Sequence, residues 1–348
     1  MDEGPFFSRI VGNPPYRLGP GANSQVYGDF HNLYAAMGSK MSLIYPAAWI
    51  DAPPHSPNSK KYSRLRGQSN LSLVDIWPNN EATSLFPGVA TGNLSVTVTD
   101  RHHSGLVKTM RAGHRENFSL LANAKPLMDS KSQEIIDILM ASCGEKNLAT
   151  MDSLVTSSGF GVNTFVTTDT KREDYKIYIA PAADEIDVDL YLNLYGRFKK
   201  SSSYGFHFLR KDYPLLKQAD IDRWKVAWVK MNGPTNWRKT IILKPGEIYS
   251  DSFIGVRFDS QEECRNFISY FQTNLYRFCL TVALTNWSAM TKTHRFAPNV
   301  GSLKNPHSGL VGFRSDWTNA DLRELFPLSD GQWNHIEKVA LAEKKPKI

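Results

Sequence analysis

The residues best suited to chemistry form the tetrapeptide Asn13-Pro14-Pro15-Tyr16. It directly follows Ser8–Gly12, a segment whose Ile10 and Val11 predict a β-strand. The tetrapeptide would then lie at the carboxyl end of a strand, where α/β sheets bind their ligands. The Asn13 side-chain oxygen and the Pro14 carbonyl oxygen are two acceptors for the protons of an exocyclic amine. Accepting both protons would restore nucleophilicity to a nitrogen whose lone pair is delocalised into a ring.

The other residues of the tetrapeptide fit the same chemistry. Pro14 and Pro15 fix φ and stiffen the loop, so the acceptors need no reordering when a ligand binds. Tyr16 offers a ring for stacking on a base turned out of a duplex. The alternative is a plain proline turn, but the position directly after an apolar strand favours a site.

The elements that must position this loop alternate between strand and helix. A strand–helix alternation predicts a partial doubly wound α/β sheet. The predicted elements are strand Ser8–Gly12, helix Gln25–Met37, strand Met41–Tyr45, helix Ser63–Arg66, and strands Leu71–Trp77 and Leu94–Thr99.

The rest of the chain has a different pattern, rich in short aromatic and β-branched runs. It predicts a mixed α+β domain, so we divide the chain into residues 1–110 and 111–348. The predicted strands are Phe160–Thr168, Lys176–Ile179, Val188–Leu194, Tyr204–Leu209, Lys225–Lys230 and Lys239–Leu243, and the predicted helices are Ser130–Ala141, Glu262–Leu280, Asp321–Phe326 and Trp333–Ala342.

Composition narrows the function classes. The 348 residues carry a formal net charge of +7, which suits a polyanionic partner. Cys143, Cys264 and Cys279 are far apart and show no metal-ligand spacing, so we expect neither a metal site nor disulfides. We find no apolar run long enough for a membrane span and expect a cytoplasmic protein.

An ordered series of segments resembles one enzyme family. "RIVGNPPY", "VYGDFHNLYAAM", "SLIYPAAWI" and "SLFPGVATGNLSVTVTD" resemble the catalytic motif and the following motifs of gamma-class adenine-specific DNA methyltransferases, TaqI-like enzymes of restriction–modification systems. "SSGFGVNTF", "RWKVAWVKM", "KPGEIYSDSFIGVRFDSQEECRNFISYFQTNLYRFCL", "THRFAPNVG" and "DWTNADLRELFPLSDGQWNHIEKV" resemble the target-recognition domain of the type IIG and type III-like members. The likeness spans residues 8 to 340.

The resemblance implies a Rossmann-like methyltransferase sheet followed by a recognition domain on double-stranded DNA. It implies methyl transfer from S-adenosyl-L-methionine to the exocyclic amine of a flipped adenine at a specific sequence. Asn13, Pro14, Pro15 and Tyr16 would form the catalytic loop. Phe86, in the later motif, would stack on the flipped base.

One element of the family pattern falls outside the chain. Family members bind S-adenosyl-L-methionine with a glycine-rich turn after their first strand, followed by an acidic residue for the ribose. Those elements would precede Asn13, where twelve residues stand. We therefore expect a separate chain to carry the cofactor-binding half, or the chain to be an incomplete relative. A linked endonuclease would likewise be a partner.

Two groups of basic residues beside aromatic ones predict contacts with DNA phosphates. The first comprises Lys60, Lys61, Arg64 and Arg66, and the second comprises Arg197, Lys199 and Lys200, followed by Arg210 and Lys211. A solvated surface is the alternative for both groups.

Two other functions remain open. A non-catalytic DNA-binding or specificity subunit, or a degenerate fragment of a restriction–modification system, would fit the missing cofactor half. A protein or RNA methyltransferase would also use this tetrapeptide, but the large second region argues against it.

Overall fold

The computed structural model describes residues 6–16, 26–49, 70–77, 82, 86, 94–104, 107–111, 114–115, 130–156, 159–163, 187–197, 204–215, 218–230, 240–283 and 291–342. The chain divides into two compact units, Met1–Gln133 and Glu134–Ile348. The boundary expected between residues 110 and 111 lies within the first unit. The predicted helix Ser63–Arg66 and the predicted strand Lys176–Ile179 lie outside the described residues.

The first unit is built on a six-stranded mixed sheet with the order β1-β2-β4-β3-β5-β6. Strand β1 runs parallel to β2, and β3 runs parallel to β5, whereas β4 runs antiparallel to both β2 and β3. β1, β2, β3 and β5 therefore share one direction. The elements are β1 (Phe7–Gly12), α1 (Tyr27–Met37), β2 (Gly38–Pro46), β3 (Leu71–Trp77), β4 (Leu94–Asp100), β5 (Lys108–Arg111) and β6 (His114–Arg115).

The alternating pattern of β2 explains its place in the middle of this sheet. Met41, Leu43 and Tyr45 are buried, while the residues between them are half-buried. Helix α1 supplies the crossover that a parallel pair such as β1 and β2 requires. It buries Tyr27, which joins the same apolar cluster.

Strand β1 forms an edge of the sheet. It pairs with β2 and with no other described strand. Phe7 and Val11 on one of its faces are 50% and 83% exposed, and Phe6 just before the strand is 76% exposed. Strands of parallel sheets are usually covered on both faces. β1 differs from this rule, because its Phe7 and Val11 face is exposed and its outer backbone edge pairs with no described strand.

The second unit contains two three-stranded sheets and several helices. One sheet has the order β10-β9-β12 with antiparallel pairing, and the other has the order β11-β7-β8 with β11 parallel to β7. The elements are α2 (Ser130–Glu145, which begins just before the unit boundary), β7 (Tyr191–Arg197), β8 (Tyr204–Arg210), β9 (Trp224–Val229), β10 (Thr240–Leu243), β11 (Glu247–Tyr249), β12 (Phe253–Phe258), α3 (Gln261–Phe271), α4 (Asn274–Ala283), α5 (Asn319–Leu325) and α6 (Asp330–Ala342).

An aromatic core holds α3 against β9. The ring of Trp228 lies 4.8 Å from that of Phe271 and 6.1 Å from that of Phe267. The His294 ring meets Trp228 edge-on at 5.3 Å, and its Nδ1 hydrogen-bonds the Tyr276 hydroxyl at 2.8 Å. All five side chains are buried, so this core depends on ring packing and one buried imidazole.

The single long helix predicted over Glu262–Leu280 is wrong, because the chain forms α3 and α4 instead. Gln272 ends α3, with its N–H donating to the carbonyls of Ile268 and Ser269. The Thr273 hydroxyl accepts from Tyr276 N at 3.2 Å and so caps the start of α4. The apolar pattern continues across the break because both helices bury it in one core.

Two predicted strands also differ. Residues 159–163 form no strand and bend at Phe160 and Gly161, instead of starting the strand predicted over Phe160–Thr168. The rest of that segment lies outside the described residues. The strand predicted over Val188–Leu194 begins three residues later, because Val188–Leu190 forms a 3₁₀ turn.

Replacing Gly159 by alanine is expected to destabilise the second unit by about 1–3 kcal/mol, the usual cost of overpacking. A Cβ at position 159 would lie 2.7 Å from the Tyr249 carbonyl oxygen and 2.8 Å from that of Ser250. Urea unfolding would measure the change. Gly144→Ala is the matched control, since its Cβ would meet nothing within 4 Å, and it should not lower the midpoint. Equal midpoints for Gly159→Ala and wild type would contradict the close approach.

Candidate functional site

Strands β1, β2, β3 and β5 run in one direction, so their carboxyl ends lie along the same edge of the sheet, the carboxyl edge. This edge is distinct from the side of β1 that pairs with no described strand. Gly12 pairs with Leu43, and both Pro46 and Trp77 pair with Leu94, the first residue of β4. The Asn13–Tyr16 loop leaves β1 at this edge. The connection from β3 to β4, which contains Phe86, also leaves and returns there.

The tetrapeptide combines exposed and buried positions. Asn13 and Pro15 are exposed, Pro14 is buried and Tyr16 is half-buried. Pro14 and Tyr16 thus anchor the loop, while Asn13 is exposed to solvent. This arrangement agrees with the prediction of a loop at the carboxyl end of a strand.

Tyr16 fixes the far end of the loop. Its side chain packs against the apolar cluster around β2, and its carbonyl accepts a hydrogen bond from Val26 N at 3.3 Å, just before α1. Burial raises the pKa of the Tyr16 phenol, and a side-chain hydrogen bond with Asn13 lowers it in part. The two functional side chains predicted from sequence are therefore in direct contact.

A buried polar network lies under this edge of the sheet and was missed by the sequence analysis. The Tyr45 hydroxyl hydrogen-bonds His31 Nδ1 at 3.1 Å and Thr97 Oγ1 at 2.9 Å, and the Tyr45 ring stacks on Tyr27 at 5.2 Å. Burial raises the pKa of Tyr45 well above its usual range, so the phenol stays neutral. The signal in the sequence is the alternation of hydroxyl residues along β4.

A second set of hydrogen bonds in the same network links β4 to the end of β2. The Ser95 hydroxyl accepts from Trp49 Nε1 at 2.9 Å and donates to the Tyr45 carbonyl at 3.0 Å. Satisfied buried networks of this kind specify one arrangement of the chain. They fix the backbone at the carboxyl end of β2, next to the Asn13–Tyr16 loop.

Phe86 is half-buried, and its backbone N–H donates to the Ala82 carbonyl at 3.0 Å. It belongs to the β3–β4 connection, whose described ends, Trp77 and Leu94, are paired at the edge that carries Asn13. The topology of the sheet therefore places both ends of the connection that contains Phe86 at the edge that carries the tetrapeptide.

The basic residues predicted to contact DNA are described only in part. Lys60, Lys61, Arg64, Arg66, Lys199 and Lys200 lie outside the described residues. Arg197 is exposed at the loop end of the β7–β8 hairpin, opposite Tyr204.

Arg210 lies at the other end of this hairpin, opposite Tyr191 and about 20 Å from Arg197 at ~3.4 Å per residue. Its guanidinium forms a two-point ion pair with Asp212. Arg197 and Arg210, which the sequence analysis placed in one basic group, therefore lie at opposite ends of the hairpin.

Other chemistries find little support among the described residues. Burial raises the pKa of Cys143 to about 11 and that of Cys264 to about 12, so neither thiol is an activated nucleophile. Within the described ranges, no three histidine, cysteine or carboxylate side chains come together as metal ligands. None of the described helices is long and apolar enough to cross a membrane.

The chain matches no protein-family model and no curated protein sequence. Solved structures that resemble it at low identity include three restriction or restriction-modification enzymes. The type IIG restriction endonuclease BpuSI matches with 12% identity and a TM-score of 0.38, over 97% of this chain and 53% of that protein.

The type IIL restriction-modification enzyme MmeI, solved in complex with DNA, matches with 8% identity and a TM-score of 0.42, over 98% of this chain and 55% of MmeI. The ATP-dependent type ISP restriction-modification enzyme LlaBIII, bound to DNA, matches with 10% identity and a TM-score of 0.36, over 74% of this chain and 24% of LlaBIII. The chain thus spans about half the length of the first two proteins.

Proposed function

We propose that this chain contributes the base-binding and DNA-recognition part of an adenine-specific DNA methyltransferase of a restriction–modification system. The observation that carries the proposal is the placement of Asn13–Tyr16 at the carboxyl end of β1, with the Phe86 connection anchored at the same edge. Ligands of α/β sheets bind at such edges.

The chemistry assigned to the loop is activation of an exocyclic amine. Asn13 Oδ1 and the Pro14 carbonyl oxygen would accept its two protons, which returns the nitrogen lone pair to the reaction. The amide of Asn13 is exposed and its side chain bonds the Tyr16 phenol. If the amide nitrogen is the donor in that bond, Oδ1 faces the substrate as a fixed acceptor, as electrostatic catalysis requires.

Two aromatic side chains would hold the flipped base. Tyr16 lies in the loop that follows β1, and Phe86 lies in the connection that leads into β4. In the sheet order, β4 is two positions from β1. At ~4.8 Å between neighbouring strands, the ends of β1 and β4 are about 10 Å apart. Phe86 precedes Leu94 by eight residues, so the proposal requires the β3–β4 connection to bring its ring back over Tyr16, with the base between them.

S-adenosyl-L-methionine would supply the methyl group. The described strand ends offer no glycine-rich turn followed by an acidic residue for the ribose. The buried acidic residue Asp75 lies inside β3 and accepts from Trp77 Nε1 at 3.1 Å. The described residues therefore do not fit the donor on their own.

The free backbone edge of β1, which pairs with no described strand, would accept a further strand that carries the donor site. A further strand added parallel to β1 would pair with its backbone edge and end beside Asn13, and the crossover helix of that strand would cover Phe7 and Val11 on the sheet face. A donor bound at the end of that strand would face the amine from the side opposite β2.

DNA is the proposed partner of the second unit. Arg197 and the neighbouring Lys199 and Lys200 would contact phosphates from the tip of the β7–β8 hairpin, and Lys60, Lys61, Arg64 and Arg66 would do so from the first unit. Such contacts position DNA without reading its sequence. A non-catalytic DNA-binding subunit, or a degenerate fragment, is the second candidate function, favoured by the lack of fit to the donor.

Calorimetry should show no micromolar binding of S-adenosyl-L-methionine to the purified chain alone, because the donor turn is not among its described elements. Mixing the chain with the product of the adjacent reading frame should restore donor binding and the transfer of labelled methyl groups to plasmid DNA. DNA binding without methylation under every complementation would favour the non-catalytic candidate. Micromolar donor binding to the chain alone would overturn the split arrangement.

A further inference from the structure

The β7–β8 hairpin of the second unit has two unlike faces. Residues paired across an antiparallel ladder share a face, and successive residues of a strand alternate between faces. The inner face carries Leu194 and Leu209, which are both fully buried, whereas no residue of the outer face is buried. The outer face comprises four pairs: Tyr191 with Arg210, Asn193 with Phe208, Tyr195 with Phe206, and Arg197 with Tyr204.

Five of the eight residues on this outer face are aromatic. An antiparallel sheet with one face in water normally carries polar side chains on that face. Phe206 is 41% exposed, and the other four rings are half-buried. Single exposed apolar residues need no explanation, but five rings on one face form a continuous aromatic surface, which marks a binding site.

The rings near the tip of the hairpin are held in place. Phe253 is 2% exposed, and its ring lies 5.3 Å from that of Tyr195 and 5.2 Å from that of Tyr204. Tyr195 in turn meets the Phe206 ring edge-on at 5.2 Å. Because these rings are fixed before a partner binds, little conformational entropy is lost when a planar group stacks on them.

The spacing along β8 suits a series of planar groups. Tyr204, Phe206 and Phe208 alternate with inner-face residues, so they repeat at about 6.8 Å, the length of two extended residues. Proteins that bind single-stranded nucleic acid stack successive bases on aromatic side chains, in some cases on the face of a sheet. Stacking of this kind tolerates any base, because every base has a π-face.

The charge at the tip of the hairpin favours nucleic acid over a protein partner. None of the eight outer-face residues is acidic. Arg197 is exposed, and the segment between it and Tyr204 adds Lys199 and Lys200 and no acidic residue. A strand stacked on the rings would therefore meet cationic groups for its phosphates at this end.

The opposite end of the hairpin is close to neutral. Asp212, just after β8, pairs with Arg210, and the exposed Asp187 and Asp189 precede β7. The cationic character of the outer face is thus confined to its tip.

Two further described carboxylates come from the chain beside β7. Glu247 of β11 is buried, and its carboxylate accepts from Lys244 N at 3.0 Å. Asp251 is half-buried and follows Ser250, whose N–H donates to the Tyr195 carbonyl at 3.1 Å. One half-buried carboxylate against three cationic residues leaves the tip with a positive balance.

We infer that the outer face of the β7–β8 hairpin is a stacking platform for the unpaired bases of single-stranded DNA, with Arg197 contacting the backbone phosphates at its tip. Paired bases are stacked on one another and present only their edges in the grooves, so the rings can reach bases only where a strand is unpaired. The inference rests on the proposed function, because it takes DNA as the partner of the second unit.

The fluorescence of 2-aminopurine tests the stacking. A thymidine oligonucleotide of about twelve residues, within the usual site size of a single-strand-binding module, would carry one 2-aminopurine at its centre. The full chain should bind this strand and quench its fluorescence, because stacking on an aromatic ring quenches 2-aminopurine.

Variants of the face separate stacking from apolar contact. Phe206→Leu keeps an apolar side chain but removes the ring, and it should lose about tenfold in affinity for the single strand. Phe206→Tyr keeps the ring and should bind like wild type, as should Leu154→Ala, at an exposed leucine outside this face. Urea unfolding checks that each variant folds, and Tyr191→Leu is the second ring-deletion variant if Phe206→Leu does not.

Two further comparisons test the state of the strand and its phosphates. A blunt duplex of the same length should bind wild type and Phe206→Leu equally, because paired bases do not reach the rings. Arg197→Ala should reduce the slope of log K against log salt for the single strand by about 0.7. An unchanged slope would overturn the phosphate contact.

The outcomes separate this inference from the proposed function. If wild type binds duplex DNA but neither binds nor quenches the single strand, the platform is wrong and the DNA partner of the proposed function stands. If wild type binds neither form even at low salt, both fail. Equal single-strand affinities of Phe206→Leu and wild type would overturn the platform. Sedimentation in which wild-type copies associate and Phe206→Leu copies do not would also overturn it, in favour of an interface between copies.

Discussion

Asn13→Ala is expected to lower the rate of methyl transfer by about 10²–10³, measured with the chain in the assembly that binds the donor. Under the proposed function, the variant would remove a preorganised acceptor aimed at the amine in the transition state. It also removes the side-chain bond to the Tyr16 phenol. Affinity for DNA should change little, because the proposed phosphate contacts are made by other residues. Long-read sequencing of a plasmid substrate would report the methylated fraction.

Three further variants separate the contributions of Tyr16 and Phe86. Tyr16→Phe keeps the ring but loses the phenol that bonds Asn13, whereas Tyr16→Ala also loses a stacking face worth about 1–3 kcal/mol. Phe86→Ala should act like Tyr16→Ala from the other face of the base. Asn32→Ala, an exposed asparagine on α1, is the matched control and should leave the rate unchanged. Wild-type activity in Asn13→Ala would overturn the catalytic assignment.

Acid is expected to destabilise the second unit through His294. Burial lowers the pKa of this histidine from 6.5 to about 3. Between these two pH values the unfolded chain therefore binds a proton that the folded chain does not. The free energy of unfolding falls as the pH decreases from 6.5, and by pH 3 the loss is on the order of 4 kcal/mol. Denaturant unfolding across this range would measure the slope.

His294→Asn removes the titration while keeping a hydrogen-bonding group near Tyr276. The variant should be less stable at neutral pH, because it leaves space beside Trp228, but its stability should depend less on pH between 6.5 and 3. An unchanged slope in His294→Asn would show that other groups cause the acid sensitivity.

The local elements of the first unit could be predicted from the sequence because each carries its own pattern. A short apolar run closed by Pro46 predicted β2 within a few residues, and the alternation of apolar and polar residues over Leu94–Thr99 predicted β4. The prolines after Gly12 marked the end of β1. The insertion of β4 between β2 and β3 could not be predicted in this way. It depends on pairing between residues about fifty positions apart in the chain, such as Leu43 with Thr97.

The site was predictable where its residues are adjacent in sequence and not where they are distant. Asn13 and Tyr16 are three residues apart, so their contact follows from one short loop. The Tyr45, His31 and Thr97 network joins three elements, and its members are ordinary core residues when taken singly. The break between α3 and α4 was missed because a threonine such as Thr273 is tolerated within helices and ends one only when its hydroxyl caps the next.

The open edge of β1 also has a consequence for handling the protein. A strand with an unpaired backbone edge and exposed Phe7 and Val11 is a template for adding strands from other molecules. Molecules produced without a covering strand would therefore tend to associate edge to edge and precipitate, more so as their concentration rises. A lysine at position 11 would oppose this association, and co-expression with a polypeptide that pairs with this edge would prevent it while leaving the strand intact.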